Sequence, residues 1–450
     1  MKLYIPPYER FILPKGTQMT PYLLQYYITK HKSFSGRYRK LRKMYESYHP
    51  ILESPKKPKY KPDNRIVANF PKYIVDTLNG FFIGIPIKVT HEDKEIAAYI
   101  EYLDAYNNQD DNNAELSKMC SEFGCGYELL YMDENAEIGI TTIEPDECFI
   151  IYDDSILHRP MYGVRYYKDW DDVERGSFSD AYHVTHFHFD GSYIFDTPEQ
   201  HPFGDVPIIE YQENKECHAA FEDIITIVNA YNKALSEKAN DVEYYADAYM
   251  KVLGKELDRE TLTKLRDTRI INFAGDDVDK LIVEFMQKPD ADGTQENLIN
   301  RLERLIFQIS MVANINDENF GNASGISLKY KLQSMSNLAK TKERKFVAGL
   351  QRRYKMIAHC PISKMGEKDW IGIKYHFTRN IPNNVLEESQ IAGNLEGITS
   401  KETQLKVLSV VDNSEEEMEK IKQERDKIGY ETDFPTQRTL ENLEEEQVES

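Results

Sequence analysis

The sequence predicts a mixed α+β protein that is mainly helical, and three features support this prediction. Between residues 127 and 211, short stretches that alternate apolar and polar residues, such as YELLYMD and EIGITTI, are separated by turn signals such as DENAE and DGS. This pattern is typical of an antiparallel meander. Two stretches, at 218–243 and 294–313, instead repeat apolar residues every three or four positions. A third, from Leu328 to Ile357, contains no proline and a single glycine. These three stretches predict long helices.

The composition limits the classes of function. The chain has 76 acidic and 56 basic residues and a formal net charge of −20, which is the wrong sign for tight binding of nucleic acid by phosphate neutralisation. Its 30 tyrosines and 20 phenylalanines suit partly hydrated interfaces with copies of itself or with partners. We find no signal-peptide pattern and no apolar run long enough to span a membrane, so we expect a soluble protein. Five cysteines without zinc spacing predict a reducing compartment: Cys120, Cys125, Cys148, Cys217 and Cys360.

The first unit, up to about residue 215, begins with a basic stretch. Residues 29–65 contain twelve lysines or arginines and three acidic residues. Tyr38, Leu41 and Met44 fall at helical spacing, so we expect a short amphipathic helix followed by an extended segment rich in proline and lysine. The stretch could contact nucleic acid or an acidic partner. We favour the alternative, a solvated helix face with a loop packed along a neighbouring subunit.

The rest of this unit is predicted from local patterns. Residues 64–90 indicate a helix, a turn and a strand, and two further helices are expected at 95–107 and 113–123. The β-rich block follows. The first unit is therefore expected to be α+β.

Two amphipathic helices then bracket a small insert at 244–293, which is expected to be α/β. In the first helix the first five apolar residues are separated by intervals of 3, 4, 3 and 4 residues, and two more continue the same face. They are Phe221, Ile224, Val228, Tyr231, Leu235, Val242 and Tyr245. In the second they step 4, 3, 4, 3: Leu298, Leu302, Leu305, Ile309 and Val312. Two similar helices around an insert should run side by side.

A polar hinge with the sequence NFGNASGIS follows the second helix and leads into the stretch from Leu328 to Ile357. As a helix this stretch would be roughly 45 Å long. Opposite its apolar stripe we expect a basic face: Lys340, Lys342, Arg344, Lys345, Arg352 and Arg353. Residues 370–382 predict a strand that returns to the first sheet. A helical pair at 384–397 and 401–427 ends in an acidic tail, which is expected to be disordered at its end.

The motifs of common enzymes are missing. The sequence contains no Walker A, GxGxxG, HExxH or GxSxG motif and no complete EF-hand loop. The stretch DADG at 290–293 lacks the first and last ligands of a calcium loop. His186 and His188 share a strand face without a third metal ligand, and the paired aspartates fall in predicted turns. We therefore expect no catalytic residue, no cofactor and no metal site, and we rank a metal-dependent nuclease as the weakest hypothesis.

Five segments in a fixed order carry a resemblance to a known family. They are NRIVANFPKYIVDTLNGFFIGIPIKV, GYELLYMDENAEIGITTIEPDECFIIYDD, KANDVEYYADAYMKVLG, ENFGNASGISLKYKL and KERKFVAGLQRRYKMI. With the sequence between them, the chain resembles the portal proteins of tailed bacteriophages, in particular the siphophages of Gram-positive bacteria. The resemblance spans residues 20–430 and rests on the order of the segments, since none of them is a catalytic signature.

The resemblance implies a function without catalysis. Portal proteins form a ring, normally of twelve subunits, at one capsid vertex, where the ring is the head-to-tail connector and the conduit for genome packaging and ejection. The implied partners are other copies of the chain, double-stranded DNA bound without sequence preference, the large terminase subunit, head-completion and adaptor proteins, and the major capsid and scaffolding proteins. The implied location is the virion, with assembly in the host cytoplasm and no membrane contact. The alternative is an oligomeric scaffold or adaptor that does not contact DNA.

The resemblance also implies a division of the chain. It suggests a wing, two stem helices, a clip, a tunnel loop and a crown. In order these are the wing at 1–215, stem helix 1 at 216–243, the clip at 244–293, stem helix 2 at 294–313, the tunnel loop at 314–325, the long helix and return strand of the wing at 326–383, and the crown with the acidic tail at 384–450.

The hinge is the main candidate site. In a ring it would project into the channel, where its amides and hydroxyls could form weak hydrogen bonds with phosphates, its glycines would allow movement, and its carboxylates would limit sticking. The candidate residues are Asn314, Asn316, Asp317, Glu318, Asn319, Gly321, Asn322, Ser324 and Gly325. An ordinary turn between helices is the alternative. Possible stem contacts with DNA are Lys233, Lys238, Arg301 and Arg304.

Overall fold

The computed structural model describes most of the chain and confirms a mixed α+β fold. The described residues are 9–58, 61–246, 250–253, 282–285, 292–315, 330–380, 385–408, 410–411 and 413–431. The chain divides into two compact units. The first comprises Met1–Ile315 and Leu332–Asn380, and the second comprises Asn316–Lys331 and Ile381–Ser450.

Fourteen strands are found in the described residues. They are β1 Phe11–Leu13, β2 Lys88–Thr90, β3 Cys125–Met132, β4 Ile138–Ile143, β5 Cys148–Asp153, β6 Pro160–Lys168, β7 Glu174–Ser179, β8 His183–Asp190, β9 Ser192–Phe195, β10 Glu199–Gln200, β11 Ile208–Gln212, β12 Met250–Leu253, β13 Ile282–Phe285 and β14 Lys374–His376. The largest sheet has the order β1-β5-β6-β7-β8-β10, with β9 also paired to β8, and a second sheet has the order β11-β3-β4.

Ten α-helices are found in the same residues. They are α1 Pro21–Tyr45, α2 Phe70–Ile83, α3 Lys94–Tyr106, α4 Gln109–Phe123, α5 Ile225–Ala246, α6 Asp292–Ser310, α7 Gln333–His359, α8 Val385–Asn394, α9 Lys401–Leu405 and α10 Ser414–Glu431. None of the described helices is long and apolar enough to cross a membrane.

The predicted single meander is divided into two sheets. β5 to β8 form an antiparallel succession, but β3 and β4 belong to the smaller sheet with β11. β1 is paired in parallel with β5, with Phe11 opposite Ile151. Helix α1 packs against the larger sheet through a mainly aromatic core that includes Tyr27, Phe149 and Phe187. The helix extends well beyond the short predicted segment, because Leu24 and Ile28 add buried turns at its N-terminal end.

Helix α7 packs on β11 and carries the basic residues that were predicted to form an exposed face. Lys342 and Arg353 are each only 1% exposed, so the prediction of a wholly basic outer face is wrong at these two positions. The Lys342 ammonium lies 2.8 Å from a carboxylate oxygen of Glu213 and donates to the Ser117 carbonyl at 2.8 Å. Burial of the two cations is tolerated because each of them meets a buried carboxylate.

The one glycine of α7 has a packing role. A Cβ atom on Gly349 would lie 2.3 Å from the ring of Tyr211, a residue of β11. The missing side chain lets the buried Tyr211 ring pack directly against the helix. The helix and the smaller sheet therefore approach each other closely at this point.

Two predictions for the C-terminal third are wrong. β14 does not return to the large sheet but pairs with β2, with Tyr375 opposite Val89. The predicted helix at 401–427 is divided into α9 and α10. The Asn413 side chain accepts a hydrogen bond from the Glu415 backbone N–H at 2.9 Å, so a new helix is capped at this position.

Glu122 gives the first unit an expected pH dependence. Burial raises the pKa of Glu122 to about 7, although Arg42, at 3.7 Å, opposes the shift. The folded chain therefore retains a proton that the unfolded chain releases above its ordinary pKa. This contribution to stability is complete below about pH 4.5 and is lost as the pH rises through about 7.

We expect Glu122→Gln to become progressively more stabilising, relative to the unchanged chain, as the pH rises from 5 to 8. The gain should be on the order of 2 kcal/mol in unfolding free energy at the upper end. Urea unfolding at each pH measures the difference. Glu134→Gln, in an exposed turn, is the matched control and should show no such trend. A flat difference for both variants would contradict the assignment.

Candidate functional site

Helices α5 and α6 lie side by side and run in opposite directions. Near the C-terminus of α5, Asp241 accepts a hydrogen bond at 2.9 Å from Gln295, near the N-terminus of α6. Further along, Tyr231 of α5 stacks edge-on against Phe70 of α2, and Phe70 in turn meets Phe307 near the C-terminus of α6. The predicted arrangement of two neighbouring helices is therefore present. Of the insert between them, the structure describes the antiparallel pair β12 and β13.

The boundaries of the pair differ from those expected. α5 begins at Ile225, after a 3₁₀ turn at Glu222–Ile224, and α6 begins at Asp292. The predicted helix at 216–243 therefore starts too early, because residues before Phe221 belong to the connection from β11. Phe221, Ile224 and Val228 are fully buried as expected.

Further along α5 the buried face is polar rather than apolar. Asn232, Ser236 and Asn240 are buried, whereas Val242 of the predicted apolar stripe is 63% exposed. We call the three buried residues the polar ladder. Four residues of helix rise about 6.0 Å and two residues of extended chain about 6.6 Å, so every fourth side chain can meet every second backbone group of an extended segment.

The polar ladder binds the extended segment at 64–68 in this way. The backbone N–H groups of Asn64, Ile66 and Ala68 donate to the side chains of the ladder. The pairs are Asn64 with Asn240 at 2.7 Å, Ile66 with Ser236 at 2.9 Å and Ala68 with Asn232 at 2.9 Å. The apolar periodicity of the helix did not indicate these contacts. The sequence did contain one indication of them. The three polar residues recur every four positions in a helix that was predicted to bury an apolar face.

The four basic residues named as possible stem contacts with DNA are not on one surface. Lys238 forms an ion pair with Glu296 and so joins α5 to α6. Arg301 and Arg304 are exposed on α6, and their spacing places them on one face of that helix. Lys233 is exposed too, but it lines a cleft of about 690 Å³ between α5, α1 and the chain at 48–57 and 63–65. Lys233 and the two arginines therefore face different surroundings.

Part of the apolar stripe of α6 is uncovered in the single chain. Leu298 is 50% exposed and Ile309 is 44% exposed, whereas Ile299 and Ile306 are buried. Leu298 and Ile309 are eleven positions apart and so lie nearly above one another on the helix. The single chain thus leaves a narrow apolar strip along α6.

The C-terminal end of α6 is held in a defined position. Met311 adopts a left-handed conformation with φ of 59° and ends the helix, a conformation that is uncommon for a residue other than glycine. The Tyr73 hydroxyl donates to the Ala313 carbonyl at 3.1 Å and accepts from the Ile315 N–H at 2.9 Å. Asn314, the first candidate hinge residue, lies between these two contacts. The chain therefore enters the hinge from a fixed point.

The remaining candidate hinge residues lie outside the described residues. These are Asn316, Asp317, Glu318, Asn319, Gly321, Asn322, Ser324 and Gly325. Within the described part of the chain, no group of three or more His, Cys, Asp or Glu side chains could hold a metal ion. All five cysteines are free thiols and buried, and burial raises the pKa of the Cys125 thiol to about 12.

Comparison with known proteins gives consistent matches. The family model described as "Phage portal protein, SPP1 Gp6-like" matches residues 24–429. The portal protein of Clostridium phage phiCD119 is 26% identical over 396 residues, which cover 81% of this chain and 86% of the relative. The portal protein of Bacillus phage SPP1 is 24% identical over 391 residues, which cover 81% of this chain and 76% of the relative.

A solved structure also matches over much of the chain. It is a chain from the neck of an empty GTA particle computed with C6 symmetry, with a TM-score of 0.44 and 11% identity over 75% of this chain and 89% of that chain. The family model covers all five segments that carried the sequence resemblance. It also covers the α5–α6 pair and the hinge. This chain belongs to the phage portal protein family.

Proposed function

We propose that this chain assembles into a closed ring, normally of twelve copies, at one vertex of a phage capsid. Duplex DNA passes through the ring during genome packaging and ejection. The ring is a conduit and a docking platform without catalysis of its own, and ATP hydrolysis belongs to a separate terminase motor. Membership of the portal family supports this proposal.

The observation that carries the proposal is the α5–α6 pair with its fixed exit at residues 313–315. Two antiparallel helices that lead to a positioned turn are suited to line an axis and to present the hinge at one level in every copy. The exposed strip at Leu298 and Ile309 gives the pair an apolar surface for a neighbouring copy to cover. In a closed ring each copy would use the same two surfaces.

The division into regions is part of the proposal. The region at 1–215 serves as the wing, together with α7 and β14 in the segment 326–383. Helices α5 and α6 serve as the stem, and 244–293 serves as the clip, where the terminase large subunit docks during packaging. Head-completion and adaptor proteins take its place afterwards. The segment 384–450 serves as the crown.

The electrostatics of the chain are compatible with passage rather than capture of DNA. A net charge of −20 disfavours tight phosphate binding. Arg301 and Arg304, exposed on α6, would give transient contacts if this face lines the channel. The asparagines and the serine of the hinge would form short-lived hydrogen bonds with phosphates, and Asp317 and Glu318 would limit their strength.

The remaining partners and the location follow from the same role. Major capsid and scaffolding proteins surround the ring as the capsid is built in the host cytoplasm, and the ring stays in the virion. The second candidate, an oligomeric scaffold without DNA contact, predicts rings or clusters that lack an open axis. Averaged electron-microscopy top views of the purified protein separate the two, since only the conduit requires an axial channel that admits duplex DNA.

A crosslinking experiment tests the hinge itself. We expect a photoreactive residue in place of Asn322 to crosslink to DNA when packaging is arrested midway, because the hinge of every copy would face the channel. The same residue in place of Trp170, which is fully exposed in the turn between β6 and β7, is the control and should not react. Crosslinks at Arg301 without crosslinks at Asn322 would refute the hinge contact while keeping the conduit.

A further inference from the structure

Three tyrosines form a stripe along α3, which we call the tyrosine stripe. Tyr99, Tyr102 and Tyr106 follow one another at helical spacing, so their side chains share one face. The ring centroids of Tyr99 and Tyr102 lie 6.4 Å apart with nearly parallel planes, and those of Tyr102 and Tyr106 lie 5.8 Å apart. Tyr99 is buried, whereas Tyr102 is 45% exposed and Tyr106 is 41% exposed. The two outer rings therefore present aromatic surface to water.

The turn between β3 and β4 places carboxylates beside the exposed rings. The Tyr106 hydroxyl donates a hydrogen bond to the Asp133 carboxylate. This bond lowers the pKa of Asp133, which is therefore ionised at neutral pH. Partial burial and the nearby Glu137 carboxylate raise the pKa of the Tyr102 hydroxyl. Glu134 is exposed in the same turn, so three carboxylates border the outer part of the stripe.

The turn is held in shape before any ligand binds. The Asp133 side chain accepts hydrogen bonds from the backbone N–H groups of Asn135 at 2.9 Å and Glu137 at 2.8 Å. The Asp133 N–H donates to the Glu137 carbonyl at 3.0 Å, and the Asn135 side chain donates to the Tyr106 hydroxyl at 3.4 Å. A preformed surface loses little conformational entropy when a ligand binds.

The buried end of the stripe already holds a cation from the chain itself. The Lys364 ammonium lies 5.8 Å from the centroid of the Tyr99 ring, within the reach of a cation–π interaction. In the part of the chain that the structure describes, no cation lies over the Tyr102 or Tyr106 ring, and no basic side chain forms an ion pair with the three carboxylates. The outer rings therefore offer the same interaction to a cation from another molecule.

We propose that the tyrosine stripe binds arginine side chains of a basic segment of a partner protein. A guanidinium stacks on the Tyr102 or Tyr106 ring while its N–H groups donate to a carboxylate of the turn. Arginine is favoured over lysine, because its planar guanidinium stacks on aromatic rings and can bond two carboxylate oxygens at once. Nucleic acid is disfavoured, because its phosphates would meet the three carboxylates.

A second copy of this chain is a less complementary occupant than a separate basic protein. The chain has a net charge of −20, so two copies repel each other overall. Its basic stretch is engaged within the same copy through three ion pairs: Lys43 with Glu53, Lys57 with Glu237 and Arg65 with Asp63. A partner with a net positive segment supplies the missing cations without breaking such pairs.

Fluorescence anisotropy with the full-length assembled protein tests the proposal. The probe is a labelled synthetic peptide in which three arginines are separated by glycines. The same peptide with citrulline in place of arginine has nearly the same shape without the charge and is the control peptide. We expect saturable binding of the arginine peptide that weakens with added salt, and at least tenfold weaker binding of the citrulline peptide.

Two variants separate the contributions of the rings and the carboxylates. Tyr102→Leu combined with Tyr106→Leu keeps apolar bulk but removes the ring faces, and it should weaken binding by about tenfold. Glu134→Gln combined with Glu137→Gln keeps both rings and should weaken binding by about fivefold, with a smaller salt dependence.

The matched control makes the leucine substitutions on another helix. Tyr22→Leu combined with Tyr26→Leu changes two exposed tyrosines of α1 that are also four positions apart. This variant should bind the arginine peptide as the unchanged protein does. Circular dichroism and melting temperature check that each variant is folded, and the glutamine variant still tests the site if the Tyr102 and Tyr106 variant does not fold.

Four results would overturn the proposal. They are the absence of saturable binding, equal binding of the arginine and citrulline peptides, an equal loss of binding in the α1 control, and full binding by both stripe variants. Loss of assembly in the Tyr102 and Tyr106 variant, at an unchanged melting temperature, would assign the stripe to a contact between copies and would also refute it. None of these results depends on whether DNA passes through the ring.

Discussion

Arg353→Ala is expected to lower the unfolding free energy by about 3–5 kcal/mol. The Arg353 guanidinium donates to the Glu128 carboxylate, at 2.8 Å from Nε, and to the Asn113 side chain at 2.8 Å. Both Arg353 and Glu128 are essentially unexposed. Removing the cation leaves the Glu128 carboxylate buried without its partner, and the desolvation of that charge is then uncompensated. Urea or guanidinium unfolding followed by circular dichroism measures the loss.

Two further variants test the physical cause. Arg344→Ala changes an exposed arginine of the same helix and should cost no more than about 0.5 kcal/mol. Arg353→Met combined with Glu128→Leu removes both charges and should cost less than Arg353→Ala alone. If the double variant is as unstable as the single one, then lost packing rather than the buried carboxylate accounts for the effect.

Leu298→Glu combined with Ile309→Glu is expected to abolish ring assembly while leaving the single chain folded. Both side chains are about half exposed on α6 in the single chain, so charges there meet water and cost little. In the proposed ring a neighbouring copy covers this strip, and two buried unpaired carboxylates per interface would prevent association. Mass photometry or analytical ultracentrifugation should show single chains in place of rings.

The matched control introduces the same charges on the adjacent polar face of α6. Asn297→Glu combined with Gln308→Glu changes two exposed polar residues and should retain assembly. Circular dichroism should show equal helix content for both variants. Rings that persist in the Leu298 and Ile309 variant would place the interface elsewhere on the chain.

Local sequence patterns predicted most of the helices and several strands. Helix α2, the pair α3 and α4, and the long helix α7 were all expected close to their observed positions, because a helix needs only a repeated apolar face and suitable ends. Strand β7 was missed. Its central Gly176 has no side chain to pack, and a Cβ there would lie 2.1 Å from the Arg165 carbonyl of β6. The two strands are too close at this position for a side chain. β7 therefore lacks the alternating apolar residues by which a strand is recognised in a sequence.

The candidate site was predicted less completely. The helix pair was predicted correctly from its periodicity. The hinge stays a prediction, because most of its candidate residues lie outside the described residues. The four stem cations were grouped by charge alone, and the structure separates them into an ion pair between helices, an exposed face and a cleft wall. The sequence shows which residues of a helix are charged and which of them share a face. What each face meets is known only once the neighbours of the helix are known.

The sequence alone determined the family, the mixed α+β class and the α5–α6 pair, because these depend on local periodicity and on the order of segments. Only the tertiary structure decided which faces are buried. It placed Lys342 and Arg353 in the interior beside the carboxylates of Glu213 and Glu128, which are distant in the sequence. It also turned the polar ladder toward an extended segment more than 160 positions away. A buried polar group is stable only when its partner is in place, and the folded chain supplies partners that no local pattern contains.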